Sequence, residues 1–474
     1  MTRQSTALLH AIPKADTHTI HKQYEQALLT FNRKLIVLDD DPTGIQTVHG
    51  VSVFTDWTED SIEQGFLEDN RMFFILTNSR GLTEDETTDV HQQIASTIVK
   101  VAKRLKKDFV IVSRGDSTLR GHFPLETIVI KTSIEQQSEW IFDGEIIIPF
   151  FLEGGRFTID NVHYVQEGNE LVPAGETEFA LDRTFGFRSS HLGEWIEEKS
   201  NGAFTKDDTT YISLDDLRAL HIEQIKEQLI NVSDFKKVVV NAIDYDDVKV
   251  FVIALLEAFQ SGKNFIFRSA AALTKVLGGI GDKGLLTRDE LIPEESPNGG
   301  LIMVGSHVKK TTEQLKELQK NEEIAFIEFN SNLVLEPEQF KHEVDRVIQT
   351  TEELIKSGQT VTVYTKRERL DLGDNQKEEE LKLSIQISDA VTSIVQRLSI
   401  RPKYLIAKGG ITSSDIGTRG LRVKRATVAG QIRPGIPVWQ TGEESKFPFI
   451  SYVIFPGNVG SIDTLKQAVE ILEG

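Results

Sequence analysis

The chain contains two successive series of short apolar segments that alternate with amphipathic segments, and this alternation limits the folds open to it. In the first series, apolar runs such as Lys34 to Leu38 and Phe109 to Val112 are separated by helical patterns such as Asp85 to Lys107. Strands that are apolar throughout are typical of a parallel sheet covered by helices on both faces. The sequence therefore predicts an α/β fold, in which ligands bind beyond the carboxyl ends of the strands.

A polar stretch from Gly281 to Gly300, rich in Gly, Pro and acidic residues, separates the two series. That composition is typical of a linker, and a chain of 474 residues suits two domains. We predict an N-terminal domain over residues 1–280, with an insertion at about 151–200, and a C-terminal domain over residues 301–474. Each domain is expected to be a mainly parallel sheet flanked by helices, with the active site in the interdomain cleft and the linker as hinge.

Composition excludes several classes of function. The chain has 53 Lys and Arg against 72 Asp and Glu, a net charge of −19, which disfavours binding to nucleic acid or to a membrane surface. It has no Cys, which excludes disulfides, thiolate zinc sites and cysteine nucleophiles. No apolar run approaches the ~20 residues of a membrane span, and the N-terminus has no signal-peptide pattern. We expect a cytoplasmic protein.

Three polar loops follow strands of the first series. They are LDDDPTG at residues 38–44, TNSRG at 77–81 and SRGDSTLRGH at 113–122. Adjacent acids repel one another unless a cation or a hydroxyl ligand balances them. Arginine provides paired donors for a carboxylate or phosphate, and Asp and Ser bind hydroxyl groups. A solvated acidic turn or a loop salt bridge would explain one motif alone, but the three together predict a site for a small polyhydroxylated acid.

Glycines precede helical patterns at three places in the second series: Gly305-Ser306, Gly409-Gly410 and Gly457 to Gly460. Such loops expose backbone amides at a helix N-terminus, where an anion is favoured. Thr412 and the two serines after it are expected at a helix N-cap. The repeated pattern predicts a nucleotide-phosphate site, although the sequence contains neither GxxxxGK[ST] nor GxGxxG. Histidines are sparse and lack ligand spacing, so a transition-metal site has no support.

The order of DDDPTG, SRGDSTLRGH, GSHVKKTTEQ, KGGITSSD and FPGNVG resembles the four-carbon acid sugar kinase family, which includes D-threonate, D-erythronate and 3-oxo-tetronate kinases. The resemblance extends from Lys34 to Gly474. It implies a two-domain α/β enzyme that uses ATP and Mg²⁺ to phosphorylate the terminal hydroxyl of a four-carbon sugar acid. The acid would bind the N-terminal domain and ATP the C-terminal domain. Expected partners are these small molecules and, as a common state, a second copy of the chain.

Applied to the loops, the resemblance implies a set of site residues. Either Asp41 or Asp116 would accept or orient the proton of the hydroxyl group. The acid would be bound by Asp40, Thr43, Ser79, Arg80, Arg114, Ser117, Arg120 and Gly121, with the arginines on its carboxylate. The nucleotide would be bound by Ser306, Gly409, Gly410, Ile411, Thr412, Gly457 and Asn458. Metal ligands stay open.

The sequence departs from the family pattern at two places. The acidic turn of the family reads more like A-D-D-x-T-G, whereas Asp39 precedes the acidic pair here and Pro42 occupies the variable position. A familiar form of the glycine loop is G-G-E-T, and Ile411 stands here in place of the acid. If that acid helps to bind Mg²⁺ or ribose, its role is missing or falls to Asp415.

Two other functions remain as alternatives. LIVLDDDPTG also fits the D-x-D-x-T pattern of haloacid-dehalogenase-like phosphohydrolases, with Asp39 as nucleophile and Asp41 as acid/base. A glycine-rich second half would have no purpose in such an enzyme. The second alternative is a non-catalytic sugar-acid-binding protein, which would bind the acid without binding ATP.

Overall fold

The computed structural model describes residues 2–368 and 377–474. The chain divides into two units, Met1–Asp282 and Lys283–Gly474. Each unit contains a mainly parallel sheet with helices against it, so the predicted α/β class is confirmed. No helix within the described ranges combines the length and the apolarity that crossing a membrane requires.

The first unit alternates strands with helices along most of its length. Its strands are β1 (Gln4–Ser5), β2 (Lys34–Asp39), β3 (Ser52–Phe54), β4 (Met72–Leu76), β5 (Phe109–Arg114), β6 (Gly144–Ile148), β7 (Arg156–Ile159), β8 (Val162–Glu167), β9 (Glu170–Pro173), β10 (Thr210–Ile212), β11 (Lys236–Val240) and β12 (Phe265–Ser269). Its helices are α1 (Ala7–Ala11), α2 (Thr17–Leu29), α3 (Glu59–Leu67), α4 (Glu84–Leu105), α5 (Leu125–Gln137), α6 (Leu192–Lys199), α7 (Leu214–Arg218), α8 (Ile222–Ile230), α9 (Tyr245–Gln260) and α10 (Ala271–Gly278).

The main sheet of the first unit has the strand order β10-β11-β6-β12-β5-β2-β4-β3, with parallel neighbours throughout. In this order β12 lies between β5 and β6. The register places Asp39 of β2 opposite Arg114 of β5, and Arg114 opposite Ser269 of β12. The carboxyl ends of β2, β5 and β12 therefore meet at one level of the sheet edge.

Packing of helix α4 shows how the sequence selects this arrangement. The helix begins at a capping box, in which Thr83 and Glu86 satisfy each other's backbone amides. Its apolar side chains Ile94 and Ile98 are fully buried in a core shared with Ile36 of β2. Because strand and helix both contribute apolar surface, burial stabilises the layer by about 25 cal/mol per Å² of apolar area.

A separate four-stranded sheet of order β1-β9-β8-β7 lies mostly within the predicted insertion at about 151–200. Its strands pair in antiparallel fashion, and β1 from the N-terminal segment pairs with β9. An antiparallel bridge between Thr158 and Ala242 links this inserted sheet to the end of β11. The insertion is thereby anchored beside the main sheet.

The second unit contains a parallel sheet with an antiparallel edge. Its strands are β13 (Leu301–Val304), β14 (Ala325–Phe329), β15 (Val361–Thr365), β16 (Leu405–Lys408), β17 (Arg425–Arg433), β18 (Ile436–Thr441) and β19 (Ser451–Phe455). Its helices are α11 (Arg288–Leu291), α12 (Lys309–Leu318), α13 (Pro337–Lys356), α14 (Lys377–Arg397), α15 (Gly410–Asp415) and α16 (Thr464–Glu473). The strand order is β17-β18-β19-β16-β13-β15-β14, and the five strands from β19 to β14 are parallel.

Candidate functional site

The carboxyl ends of the central strands of the first unit bring acids and arginines together. We call this cluster the acid–arginine network; its members are Asp39, Asp40, Asp41, Asp116, Glu126, Arg80, Arg114, Arg120 and Arg268. Most of these residues come from the three loops that the sequence singled out. The network therefore lies where an open α/β sheet binds its ligands.

Arg114, at the end of β5, pairs with two buried carboxylates. Its Nη1 lies 3.1 Å from Oδ1 of Asp39 and 3.3 Å from Oδ1 of Asp40. Burial raises the pKa of Asp39 to about 7, although the charge of Arg114 opposes this. Burial also raises the pKa of Asp40, against the charges of Arg80 and Arg114. Because both carboxylates are only 2% exposed, they hold arginines in place and are poorly placed to touch a ligand.

Arg80 lies among three carboxylates. Its Nη2 is 3.3 Å from Asp40 and 2.9 Å from Asp41, and its Nη1 is 3.6 Å from Asp116. Burial opposes ionisation of Asp41, yet Arg80 and hydrogen bonds from Thr43 hold its pKa below the ordinary value. Burial likewise opposes ionisation of Asp116, but Arg80 and Arg120 hold its pKa well below the ordinary value. Asp41 and Asp116, with side chains 21% and 13% exposed, are thus ionised carboxylates that a ligand can reach.

Two predicted substrate-binding hydroxyl groups are bonded to acids of the chain. The amide and Oγ1 of Thr43 donate to Oδ1 of Asp41, at 2.8 and 2.6 Å. The Oγ of Ser79 donates to Oε1 of Glu126 at 2.6 Å, and Ser79 is fully buried. Both hydroxyl groups therefore orient carboxylates in this structure.

Arg120 and Ser117 lie on the loop after β5. Nε of Arg120 is 2.8 Å from Oδ2 of Asp116, and its Nη1 is 3.7 Å from Asp182. The carbonyl of Ser117 accepts a hydrogen bond of 2.8 Å from Nε2 of His163. The loop is thus held by residues of the insertion as well as by its own ion pair.

Arg268 and Glu126 belong to the network but were not predicted from the sequence. Nη1 of Arg268 lies 3.3 Å from Oε2 of Glu126, and its Nη2 donates to the carbonyl of Arg120 at 2.8 Å. Gly121 has φ +121°, and a Cβ there would lie 2.8 Å from Nη2 of Arg268. A Cβ on Gly115 would overlap the guanidinium of Arg268, so a side chain there would displace Arg268 from its pair with Glu126. The sequence did contain a signal for Arg268, because this charged residue directly follows the apolar run at residues 265–267. Glu126 lies within a helical pattern, and the sequence contained no signal for it.

The second unit contains a cavity of about 340 Å³. One side consists of loop residues that follow β13 and β16: Gly305, Ser306, His307, Gly409, Gly410, Ile411 and Thr412. The lining also includes Leu383, Ile387 and Val391 of α14, whose spacing of four residues places them on one helix face. The predicted residues Ser306 and Gly409 to Thr412 are therefore brought together, and the apolar face of α14 was not predicted.

Close contact between the two loops depends on glycine. Gly409 has φ +123°, and a Cβ on it would lie 2.9 Å from the Cβ of Ser306. Helix α15 begins at Gly410, with Gly409 as its N-cap. The expected N-cap at Thr412 is therefore wrong: Thr412 lies in the first turn, because the left-handed φ of Gly409 starts the helix earlier. First-turn amides have no partner within their helix, so those of Gly410, Ile411 and Thr412 are available to a ligand, whereas the amide of Ser413 already donates to the carbonyl of Gly409.

Gly457 and Asn458 are not among the described residues that line the cavity. A Cβ on Gly457 would nevertheless lie 3.1 Å from Oγ of Ser306, so this loop borders the cavity wall. The loop is bound by Lys408, a fully buried residue whose Nζ donates to the carbonyl of Pro456 at 2.6 Å. Burial, with the nearby charge of Lys310, lowers the pKa of Lys408 to about 6. Lys408 was missed, although a lysine ending an apolar strand was visible in the sequence.

The described residues do not form a metal site. They contain no group of three or more His, Asp or Glu side chains arranged to bind a metal ion. Asp415 accepts a hydrogen bond of 2.9 Å from Ser388 and pairs with Arg419 at 2.8 Å. These side chains thus do not provide a ligand set for Mg²⁺.

Comparison with known proteins gives two family matches that together cover most of the chain. A model described as a sugar-binding N-terminal domain matches residues 35–277, and one described as a nucleotide-binding C-terminal domain matches residues 301–465. No curated protein matches the chain.

Solved structures with a similar fold include two bacterial proteins. Haemophilus influenzae protein HI1011 is 16% identical with a TM-score of 0.61, and the match covers 92% of this chain and 100% of that one. A Salmonella typhimurium LT2 protein described as a tRNA synthase is 14% identical with a TM-score of 0.64, over 92% and 98% of the two chains. At these identities the likeness concerns the fold alone.

Proposed function

The chain belongs to the four-carbon acid sugar kinase family, and we propose that it transfers the γ-phosphoryl group of ATP to the terminal hydroxyl of a tetronate or 3-oxo-tetronate. Its N-terminal domain is of the sugar-binding type and its C-terminal domain of the nucleotide-binding type. The observation that supports the proposal most is the pair of reachable, ionised carboxylates, Asp41 and Asp116, at the strand ends of the sugar-binding domain. A substrate hydroxyl that attacks the γ-phosphoryl group needs a nearby ionised group to accept its proton.

Asp41 or Asp116 accepts or orients the proton of the attacking hydroxyl. Both have a pKa below the ordinary value, so both are ionised at neutral pH and ready to accept. Phosphoryl transfer needs little covalent chemistry from the protein and depends mainly on alignment and on stabilisation of charge. The ion pairs that fix Arg80 and Arg120 against these two aspartates supply that alignment.

The nucleotide binds in the cavity of the second unit. The apolar face of α14 suits a purine base, and the amides of Gly410 to Thr412 suit phosphate oxygens. Mg²⁺, when bound, would offset phosphate charge. Since the described residues contain no cluster of three or more acidic or histidine side chains, phosphate oxygens and water would provide most of its ligands.

The two alternatives are less well supported. A phosphohydrolase would need Asp39 as an exposed nucleophile, but the Asp39 side chain is 2% exposed and bonded to Arg114. A binding protein that only senses a sugar acid would have no use for the glycine-lined cavity.

Purified protein with Mg²⁺-ATP and a panel of D-threonate, D-erythronate and their 3-oxo counterparts tests the proposal. We expect one or more acids to yield a phosphorylated product, detected by mass spectrometry and ³¹P NMR. No product from any acid, together with no ATP binding by calorimetry, would overturn it. Acid binding without ATP binding would favour the binding protein, and a covalent phosphate on Asp39 would favour the phosphohydrolase.

A further inference from the structure

Arg156, the first residue of β7 in the inserted sheet, is an arginine without a carboxylate partner. Its Nη1 donates to the carbonyl of Gly154, and its Nε is buried with no hydrogen-bond partner. Among the described residues, no carboxylate lies within 4.0 Å of its guanidinium, whereas Arg80, Arg114 and Arg268 each have at least one. A cation withdrawn from water without a counter-anion is costly, and binding an anion would recover that cost.

The strand register determines which way the hairpin faces. Thr158 of β7 pairs with His163 of β8, and because side chains alternate along a strand, Arg156 and Thr158 lie on the same face. On that face, Oγ1 of Thr158 lies 3.0 Å from Nδ1 of His163, while Nε2 of His163 donates to the carbonyl of Ser117. The face that bears Arg156 is therefore the one in contact with the loop after β5.

Arg156 shares an aromatic neighbour with Arg120. The guanidinium of Arg156 lies 5.6 Å from the ring centroid of Phe179, and that of Arg120 lies 5.0 Å from the same ring. Arg120 is neutralised by Asp116 and Asp182, while Arg156 is not. Burial lowers the pKa of Arg156, the charge of Asp116 raises it, and the effect of burial is larger. Since Arg120 pairs directly with Asp116, the ring that the two arginines share places Arg156 near that carboxylate.

We infer that Arg156 binds the carboxylate of the sugar acid, so that the inserted hairpin selects acids over neutral sugars. The inference rests on the proposed function, since it requires the acceptor to bind beside Asp116. Arginine suits this role because its planar fork matches a carboxylate with two parallel hydrogen bonds, which lysine cannot reproduce.

The test compares Arg156→Gln and Arg156→Lys with the wild-type enzyme. Its control is Arg188→Gln, which changes a 91% exposed arginine of the same insertion. We expect the KM for D-erythronate or D-threonate to rise roughly 10- to 100-fold in Arg156→Gln, as for loss of a charged hydrogen-bonded pair, with a smaller change in kcat and none in the KM for ATP. The KM of Arg156→Lys for the acid should lie between those of the wild type and Arg156→Gln. The KM of Arg188→Gln should equal that of the wild type.

A binding measurement with neutral analogues distinguishes loss of carboxylate recognition from a general distortion of the binding site in Arg156→Gln. Thermal shift with erythritol and threitol should give the same weak response in wild type and Arg156→Gln, because these polyols lack the carboxylate. If acid and polyol binding weaken equally, or if Arg156→Gln keeps the wild-type KM for the acid, the inference is overturned. Should Arg156→Gln not fold, as judged by its melting temperature, Arg156→Lys decides on the same criteria.

Failure of the proposed function gives a different result. A wild-type protein that is stabilised by D-erythronate or D-threonate but forms no product would contradict the kinase and still support the inference if Arg156→Gln abolishes the stabilisation. If the wild type forms product and Arg156→Gln has the same KM for the acid, the result would support the kinase and contradict the inference. A wild-type protein that binds none of the acids contradicts both.

Discussion

The sites of the two units are built in opposite ways. In the first unit, the site consists of charged side chains that neutralise one another at strand ends. In the second, it consists of glycine loops and a helix face, and the loops after β13 and β16 pack so closely that a Cβ on Gly409 would press on Ser306. The first should therefore be sensitive to removal of one charge, and the second to addition of one methyl group.

Asp116→Asn should give the largest effect, because it removes a reachable carboxylate that pairs with both Arg80 and Arg120. We expect kcat to fall by about 10² to 10⁴-fold, the usual contribution of a proton acceptor. ATP affinity should stay nearly unchanged in calorimetry, since second-unit residues line the cavity proposed for the nucleotide. Asp182→Asn, which changes the other carboxylate near Arg120, is the control and should cost far less. A strong loss of ATP binding in Asp116→Asn would contradict the assignment of the two ligands.

Gly409→Ala should weaken nucleotide binding by roughly 10- to 100-fold, because an L-residue at φ +123° is strained and its Cβ would press on Ser306. Binding of the sugar acid should not change. Gly284→Ala is the matched control, as a Cβ there would meet nothing within 4 Å. Equal nucleotide affinity in the two variants would show that loop contact does not shape the site.

Lys408→Met should alter the pH dependence of nucleotide binding. Lys408 has its pKa lowered from 10.5 to about 6, so it is mostly neutral at pH 7.5 in the folded protein. Nearby phosphate charge would raise this pKa, and we expect ATP binding to take up as much as about one proton. Calorimetry in buffers of different ionisation heat measures that uptake, which Lys408→Met should abolish and Lys309→Met, at a 91% exposed position, should not.

The same lysine affects stability with a defined sign. Because its folded pKa is lower than the ordinary value, the unfolded chain binds more protons between pH 6 and pH 10.5. The free energy of unfolding of the wild type should therefore rise with pH across that window relative to Lys408→Met. Urea titrations at pH 6 and pH 9 measure this difference, and parallel pH profiles would contradict the neutral state of Lys408.

Ile387→Ala should give the smallest effect. Ile387 lines the cavity proposed for the nucleotide and is half-buried, so its truncation should weaken ATP binding roughly fivefold through lost apolar contact. Ile385 on the same helix is 53% exposed and does not line the cavity, and Ile385→Ala should leave the affinity unchanged. A larger loss in Ile385→Ala would mean that a different face of α14 meets the nucleotide.

Local patterns in the sequence predicted much of the secondary structure. The run Lys34 to Leu38 forms β2, and the helical pattern from Asp85 forms α4. Both were predictable because an apolar run and a helix cap are each defined by a few neighbouring residues. Strand order was not predictable in this way. The position of β12 between β5 and β6 depends on packing of segments more than 100 residues apart in the chain.

The loops of the site were predictable, but the roles within them were not. Asp39 and Asp41 are two residues apart and look alike in sequence, yet one is 2% and the other 21% exposed. The case for Arg156 needed the hairpin register and its missing carboxylate partner, and the pairing of Arg268 with Glu126 needed the strand order. The roles proposed for Asp41, Asp116 and the nucleotide-binding residues stay predictions.

The central position of β12 has a consequence for how the chain matures on the ribosome. β2, β4 and β5 are complete by residue 114, and β6 by residue 148, but the strand that joins them ends at residue 269. Until it emerges, β5 and β6 each leave an open edge that can pair with another nascent chain. Glu126 also awaits Arg268, its counter-charge. The acid–arginine network is thus completed late in synthesis, and slow translation before residue 269 would prolong the exposure of these open strand edges.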